Sequence, residues 1–395
     1  MENLEKFKVP AKMNNFFLGL IGIGLTTLIV GFIVDPARAW AGMLVLGFYL
    51  MTIGLFGGFF TSMHFISGSK WSVVLRRVSE SMFYVLIAAA VFLGIVVIFG
   101  MHHLYEWSHE EVMANDQILQ KKAAYLNRPF FIARVIVYFV SWFAMGTMLR
   151  KYSLKQDGNT DKPSRGVLSA ISAGWMIIFV YFLELCSIDL IMSLEPHWST
   201  TMFPMYTFAG LVCSGFGVLI ILTATIQKHG GLKSMTPEHF HDLGKFQFAF
   251  VGFWAYIAFC QHMLTWYANL PEETVYLERR LHGIWGGYTA FLWVGHFIIP
   301  FLILLSSKIK RNPNQLAKVS WWIVFMGFVD VVWLVYGGIQ HENIHGYPFK
   351  WMEMGLFLGA IGIIGYSVLN AYAKVHPEPT GDPFYQESVH FHQKH

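Results

Sequence analysis

Two carboxylates, Glu184 and Asp189, stand near the end of one long apolar run, and a third, Asp330, stands about eleven residues into another. An ionised carboxylate in lipid costs about 2.5–3.5 kcal/mol on insertion scales, so acids at that depth point to proton chemistry or to a compensating partner. Asp330 falls near the middle of its run at about 1.5 Å per residue. There a carboxyl group exchanges its proton in response to small changes in nearby water or charge, which makes Asp330 the leading candidate for a proton relay. The plainer reading is an acid hydrogen-bonded to a neighbouring helix for packing alone.

Five residues separate Glu184 from Asp189, so about 140° of helix rotation lies between them. Glu184 is expected to point into a helix bundle and Asp189 to lie near the interface. The polar turn Ser193-Leu194-Glu195-Pro196-His197-Trp198-Ser199-Thr200 follows at once. A ladder from Glu184 through Asp189 to Glu195 or His197 would carry protons toward water; alternatively, Asp189 caps the turn by accepting backbone N–H groups. Asp189, His197 and Trp198 also make up a candidate quinone pocket, since a quinone head group needs an acceptor and a donor beneath an apolar slot. Arg134 lies early in the preceding run, and its guanidinium, which keeps its charge, demands a carboxylate or a carbonyl. Glu184, Asp189 and Glu80 are its candidate partners; snorkelling to the interface is the alternative.

Further along the same argument, Arg76, Arg77 and Glu80 allow one Arg–Glu contact on a helix face. With His64 they form a candidate proton entrance or a simple interfacial ion pair. His296 precedes Pro300 by four residues, so the proline withholds a hydrogen bond from the carbonyl of His296. Together with Tyr288, Asp330 and His262 it marks a candidate wet pocket, or a tolerated kink with a structural histidine. His262 and His296 differ in expected depth by about 9 Å, which disfavours them as paired haem ligands. Cys186, Cys213 and Cys260 lie in apolar runs without the spacing of a disulfide framework, an iron–sulfur site or a covalent haem.

The elements that must position these groups are membrane-spanning helices. The chain is 55% hydrophobic and 13% charged, with a mean hydropathy of +0.48, whereas soluble proteins carry about 25% charged residues. The net charge of +4 is dispersed between apolar runs, as membrane topology requires and nucleic-acid binding does not. Ten segments are long enough to span, near 16–34, 41–62, 78–100, 129–149, 166–192, 203–226, 246–268, 284–307, 319–339 and 352–373. Most of the 28 lysines and arginines lie in the N-terminal stretch, the loops after even-numbered helices and the C-terminal tail, which predicts that both termini are cytoplasmic. No cleavable signal is expected at the N-terminus. An amphipathic surface helix is expected within 101–128, a loop over 269–283, and a solvated histidine-bearing tail from His376.

Trp175 precedes Glu184 by nine residues, as Trp321 precedes Asp330. That spacing suggests two related bundles, helices 2–5 and helices 6–9, flanked by helices 1 and 10. The expected division is an N-terminal segment with helix 1 over 1–40, a first bundle over 41–192, a second over 193–339, and helix 10 with the tail over 340–395.

Three strings carry a family likeness: Lys122-Ala123-Ala124-Tyr125-Leu126-Asn127, Ser187-Ile188-Asp189 with the turn Ser193 to Thr200, and Trp266-Tyr267-Ala268-Asn269-Leu270-Pro271-Glu272-Glu273-Thr274. In that order they resemble the NrfD-like membrane subunits of bacterial alternative complex III, relatives of the polysulfide reductase membrane subunit. The length and the lead Asp242-Leu243-Gly244-Lys245 are more similar to the shorter of the two such subunits. Leu190 and Pro204 depart from the pattern, where the family carries an aromatic residue and a glycine. The resemblance implies an all-α integral membrane protein of the bacterial inner membrane, with ten helices in two four-helix bundles plus two peripheral ones. It implies a quinol:cytochrome c oxidoreductase in which haem and iron–sulfur clusters belong to partners: cytochrome c subunits, an iron–sulfur subunit and a sister NrfD-like subunit. Quinone or menaquinone is the implied small-molecule ligand. This chain is then expected to conduct protons, with its own quinol site or a purely structural role as the alternatives.

Overall fold

The computed structural model describes residues 6–158, 164–339 and 347–392. Among them no strand occurs, and ten helices are long and apolar enough to cross a membrane. These are helix 1 (Ala11–Val34), helix 2 (Pro36–Ile66), helix 3 (Trp71–Leu104), helix 4 (Arg128–Lys155), helix 5 (Arg165–Leu194), helix 6 (Phe203–Lys228), helix 7 (Pro237–Ala268), helix 8 (Gly283–Leu304), helix 9 (Pro313–Tyr336) and helix 10 (Trp351–Ala373). The chain is therefore an all-α, multi-pass membrane protein, as its apolar runs predict. Several helices outrun those runs because capped polar turns extend them: Asp35 accepts from the Arg38 N–H before helix 2, and Asn127 accepts from the Phe130 N–H before helix 4.

Helix 2 is the axis of the molecule. It packs on helices 3 and 5 on one side and on helices 6 and 9 on the other. Helix 4 leans on helix 5, helix 7 on helix 6, and helix 8 on helices 7 and 9. Helix 1 lies against helix 10, where Gly24 and Gly359 cross so closely that a Cβ on Gly24 would sit 2.6 Å from the Gly359 Cα. Small residues let membrane helices approach to this distance, and a methyl group there would force them apart.

The matched Trp–acid spacing does not mark equivalent positions. Nine residues span about two and a half turns, so tryptophan and acid lie on opposite helix faces. In helix 5 the tryptophan is buried and the acid exposed; in helix 9 Trp321 is exposed and Asp330 buried.

Between helices 3 and 4 the expected surface helix is broken into Glu110–Asn115 and Gln117–Lys122, because Asp116 caps the second piece by accepting from the Ile118 and Leu119 N–H groups. The expected loop at 269–283 is a helix, Pro271–Leu281. Its proline at the start, Glu272 and Glu273 in the first turn and Arg279 and Arg280 in the last all favour that state. Over its described residues the C-terminal tail is docked by other side chains, while His376, His390 and His392 stay exposed as expected. Asp382 pairs with buried Arg76 at 2.7 Å, the Glu378 carboxylate accepts from Ser234 N–H and Tyr385 hydroxyl, and Ser388 donates to the Trp71 carbonyl. The tail thereby fastens the helix 2–3 connection on the face that carries the N-terminus.

Candidate functional site

Asp330 sits in helix 9 where helices 6, 7 and 9 meet, with 2% exposure. Its Oδ1 accepts from the Tyr206 hydroxyl of helix 6 at 2.5 Å, and its Oδ2 accepts from Trp254 Nε1 of helix 7 at 3.0 Å. Both donors are neutral. The other buried carboxylates within the described spans are ion-paired: Glu80 with Arg77 at 2.6 Å, Asp189 with Arg134 at 2.9 Å, Asp242 with Lys245 at 2.5 Å and Glu353 with Arg38 at 2.8 Å. A charged partner fixes a carboxylate in one state, because removing either charge leaves the other stranded. Asp330 has no such constraint.

One cavity adjoins Asp330 directly and a second adjoins its two donors, Tyr206 and Trp254. A cavity of about 10 Å³ lies toward helix 2, lined by Tyr49, Thr52, Ser214 and Asp330 itself; it has room for about one water. A second, of about 40 Å³, lies toward the face opposite the N-terminus, lined by Gln261, His262, Thr289 and Trp293. Tyr206 borders both, so the hydroxyl that binds Asp330 belongs to the wall between them. A hydroxyl that donates to a carboxylate while accepting from water is a competent proton carrier.

His296 approaches this group without completing it. Helix 8 opens into a wider π turn over Trp293–Ile298, and Trp322 Nε1 donates to the Gly295 carbonyl at 2.7 Å. The proline kink inferred from Pro300 is thus absorbed by a π-bulge whose loosened backbone finds a side-chain donor. The His296 ring lies 4.3 Å from that of Trp254, and neither ring nitrogen meets a hydrogen-bond partner. Tyr288 donates to the Val329 carbonyl at 3.0 Å, not to Asp330. The expected single pocket of Tyr288, His262, His296 and Asp330 is therefore replaced by Asp330, Tyr206 and Trp254, with His262 one cavity away. Tyr206 and Trp254 lay outside the sequence-derived set, since nothing in their local pattern distinguishes them from ordinary interior aromatics.

In the first half of the chain the ladder does not connect. Glu184 faces outward and not into a bundle. Asp189 is fully buried, and its carboxylate accepts Arg134 Nε at 2.9 Å, Arg134 Nη2 at 3.0 Å and the Tyr138 hydroxyl at 2.7 Å. It takes no backbone N–H as a cap; instead its own carbonyl accepts from Ser193. Arg134 also donates to the Tyr125 carbonyl at 2.9 Å and lies 3.8 Å over the Tyr125 ring, so it does not snorkel. A doubly bonded ion pair of this kind is a structural joint between helices 4 and 5.

On the N-terminal face Arg77 holds Glu80 and also Asp157, at 2.5 Å, and Ser153 donates to Glu80. His64 is separate from this network. Its ring packs at 4.3 Å against Phe60 and 5.3 Å against Trp71, with neither nitrogen hydrogen-bonded.

The opposite face holds a space of about 250 Å³, lined by Glu106, Glu195, His197, Trp198, Tyr276 and Arg279. His197 and Trp198 line it as a quinone pocket would require, but Asp189 does not. Trp198 stacks on Tyr276 at 3.8 Å, and Arg280 lies 3.6 Å over the Tyr276 ring while pairing with Glu195 at 2.7 Å. These contacts tie the turn after helix 5 to the Pro271–Leu281 helix.

Two acids at this rim are driven in opposite directions. The hydrogen bond from His197 at 2.5 Å, with those from the Leu119 and Ile118 N–H groups, holds the Asp116 carboxyl below its ordinary value. Burial pushes Glu106 above its own, against the pull of His197, Arg279 and His109. The folded chain therefore binds the Glu106 proton more tightly than the unfolded chain does. That contribution to stability is complete below the ordinary pH of 4.5 and is lost as pH rises through the raised value. Melting temperatures from pH 4.5 upward should fall less for Glu106→Gln than for the native chain, and parallel curves would remove Glu106 from this account.

No protein-family model matches the chain, and no curated protein is detectably similar to it in sequence. Among the described residues no group of three or more His, Cys, Asp and Glu side chains is arranged to hold a metal ion.

Proposed function

We propose that this chain is an NrfD-like membrane subunit of a quinol-oxidising respiratory complex and that it carries protons through Asp330. The observation that carries the proposal is a buried carboxylate with two neutral donors, beside one cavity and linked through Tyr206 and Trp254 to a second, whereas the other buried acids of the described spans are ion-paired. Protons reach or leave it by way of Tyr206 and the cavity beside His262. The three strings quoted above supply the assignment to alternative complex III. Under it, both termini are cytoplasmic in a bacterial inner membrane, while haem and iron–sulfur clusters reside in the iron–sulfur and cytochrome c partners beside a sister NrfD-like subunit.

Quinol oxidation within this chain is the second reading, favoured by the 250 Å³ space beside His197 and Trp198. It is the weaker one, because the acid that would complete it, Asp189, is committed to Arg134. A tagged chain purified from its own membranes should bring with it haem and iron–sulfur subunits and quinol:cytochrome c activity. Purification as a homogeneous, colourless protein without such partners would overturn the assignment.

A further inference from the structure

Helix 5 exposes one face from end to end. Gly166, Ala170, Ala173, Ile177, Val180 and Glu184 are all exposed, and their spacings bring them within about 40° of a common line. Ile177 is 72% exposed and Val180 55%. Among the described residues the Glu184 carboxylate has no partner.

The depth of Glu184 follows from the Arg134–Asp189 ion pair, which sets the relative height of antiparallel helices 4 and 5. Arg134 is six residues from the start of helix 4, and Glu184 is five residues deeper than Asp189. That places Glu184 about 16 Å below the end of a helix about 42 Å long, well inside the hydrocarbon. A glutamate stem is too short to reach the interface from there, unlike lysine or arginine.

We infer that this face of helix 5 is covered by a membrane-spanning helix of a different subunit that presents a lysine or arginine to Glu184. Charge complementarity selects the occupant. Lipid tails offer no donor, and irregular backbone does not occur in contact with lipid at this depth. A second copy of this chain, related by a two-fold axis through the face, would set glutamate against glutamate. The small residues Gly166, Ala170 and Ala173 let the incoming helix approach closely at the far end, in the manner of other membrane helix pairs. Glu184 thus acts in assembly, which explains an intramembrane acid that no internal ladder uses.

A photo-reactive residue at Ile177 in the assembled membrane tests this. The expected adduct is a spanning segment of another protein with a lysine or arginine within one turn of the contact. Its yield should fall at least about tenfold in Glu184→Leu, and Glu184→Lys should regain it when the partner's basic residue is exchanged for glutamate. Because Glu184 is exposed, Glu184→Leu should leave the isolated chain folded, as gel filtration and melting would show. Adducts to phospholipid alone, adducts to a second copy of this chain, or an unchanged yield in Glu184→Leu would each overturn the inference. The readout is a contact and not an activity, so failure of the proton-relay reading would leave it standing.

Discussion

Replacing Arg134 with methionine is expected to destabilise the chain by about 3–5 kcal/mol, because it leaves the fully buried Asp189 carboxylate without its counter-charge. The neighbourhood holds little in reserve. Tyr138 would remain as one neutral donor, and the Tyr125 carbonyl would lose its partner as well. The joint between helix 4 and helix 5 would go, and with it the anchorage of the 105–127 segment, whose Tyr105 donates to the Leu190 carbonyl at 2.9 Å. The double variant Arg134→Met/Asp189→Leu should recover most of the loss, since two apolar side chains leave no stranded charge. Thermal unfolding of the two variants in lipid nanodiscs decides the matter. A double variant as unstable as the single one would mean that the pair does more than join two helices.

The architecture was legible because an apolar run of about twenty residues has few fates in a chain this hydrophobic. What the runs could not reveal was rotation. Glu184 was expected to face a bundle and Asp189 the interface, and the structure reverses them, since spacing fixes the angle between two side chains but not the direction of the neighbouring helices. Three candidate partners for Arg134 reduced to Asp189 only when helices 4 and 5 were brought together.

The interhelical partners of Asp330 come from residues 124 and 76 positions away, and the Arg38–Glu353 pair joins residues 315 apart. No local pattern encodes such contacts. The Pro271–Leu281 helix, by contrast, was written in its terminal charges, and only its short length and polarity disguised it as a loop. The docking of the tail was hidden for a related reason. Residues that are polar in isolation become buried when a charged partner such as Arg76 waits in the folded face.

Asp330→Asn keeps the size of the side chain; its amide oxygen can still accept from Trp254, and its NH2 can donate to a Tyr206 hydroxyl turned to accept, so the fold and the assembly are expected to survive. It removes the one property the account requires, the capacity to bind and release a proton. Asp189→Asn differs in kind: it strands a guanidinium, and its effect should appear first as lost stability. Tyr206→Phe should weaken proton transfer less than Asp330→Asn does, because it removes a carrier next to the site and leaves the site itself. The contrast between these variants separates a relay from a packing contact.

The most direct test is the number of protons moved per electron by the purified complex in sealed liposomes, compared between the native chain and Asp330→Asn at matched quinol oxidation rates. The account predicts that the variant stays assembled and loses the translocated protons. A native ratio in the variant would contradict it and leave Asp330 a packing residue.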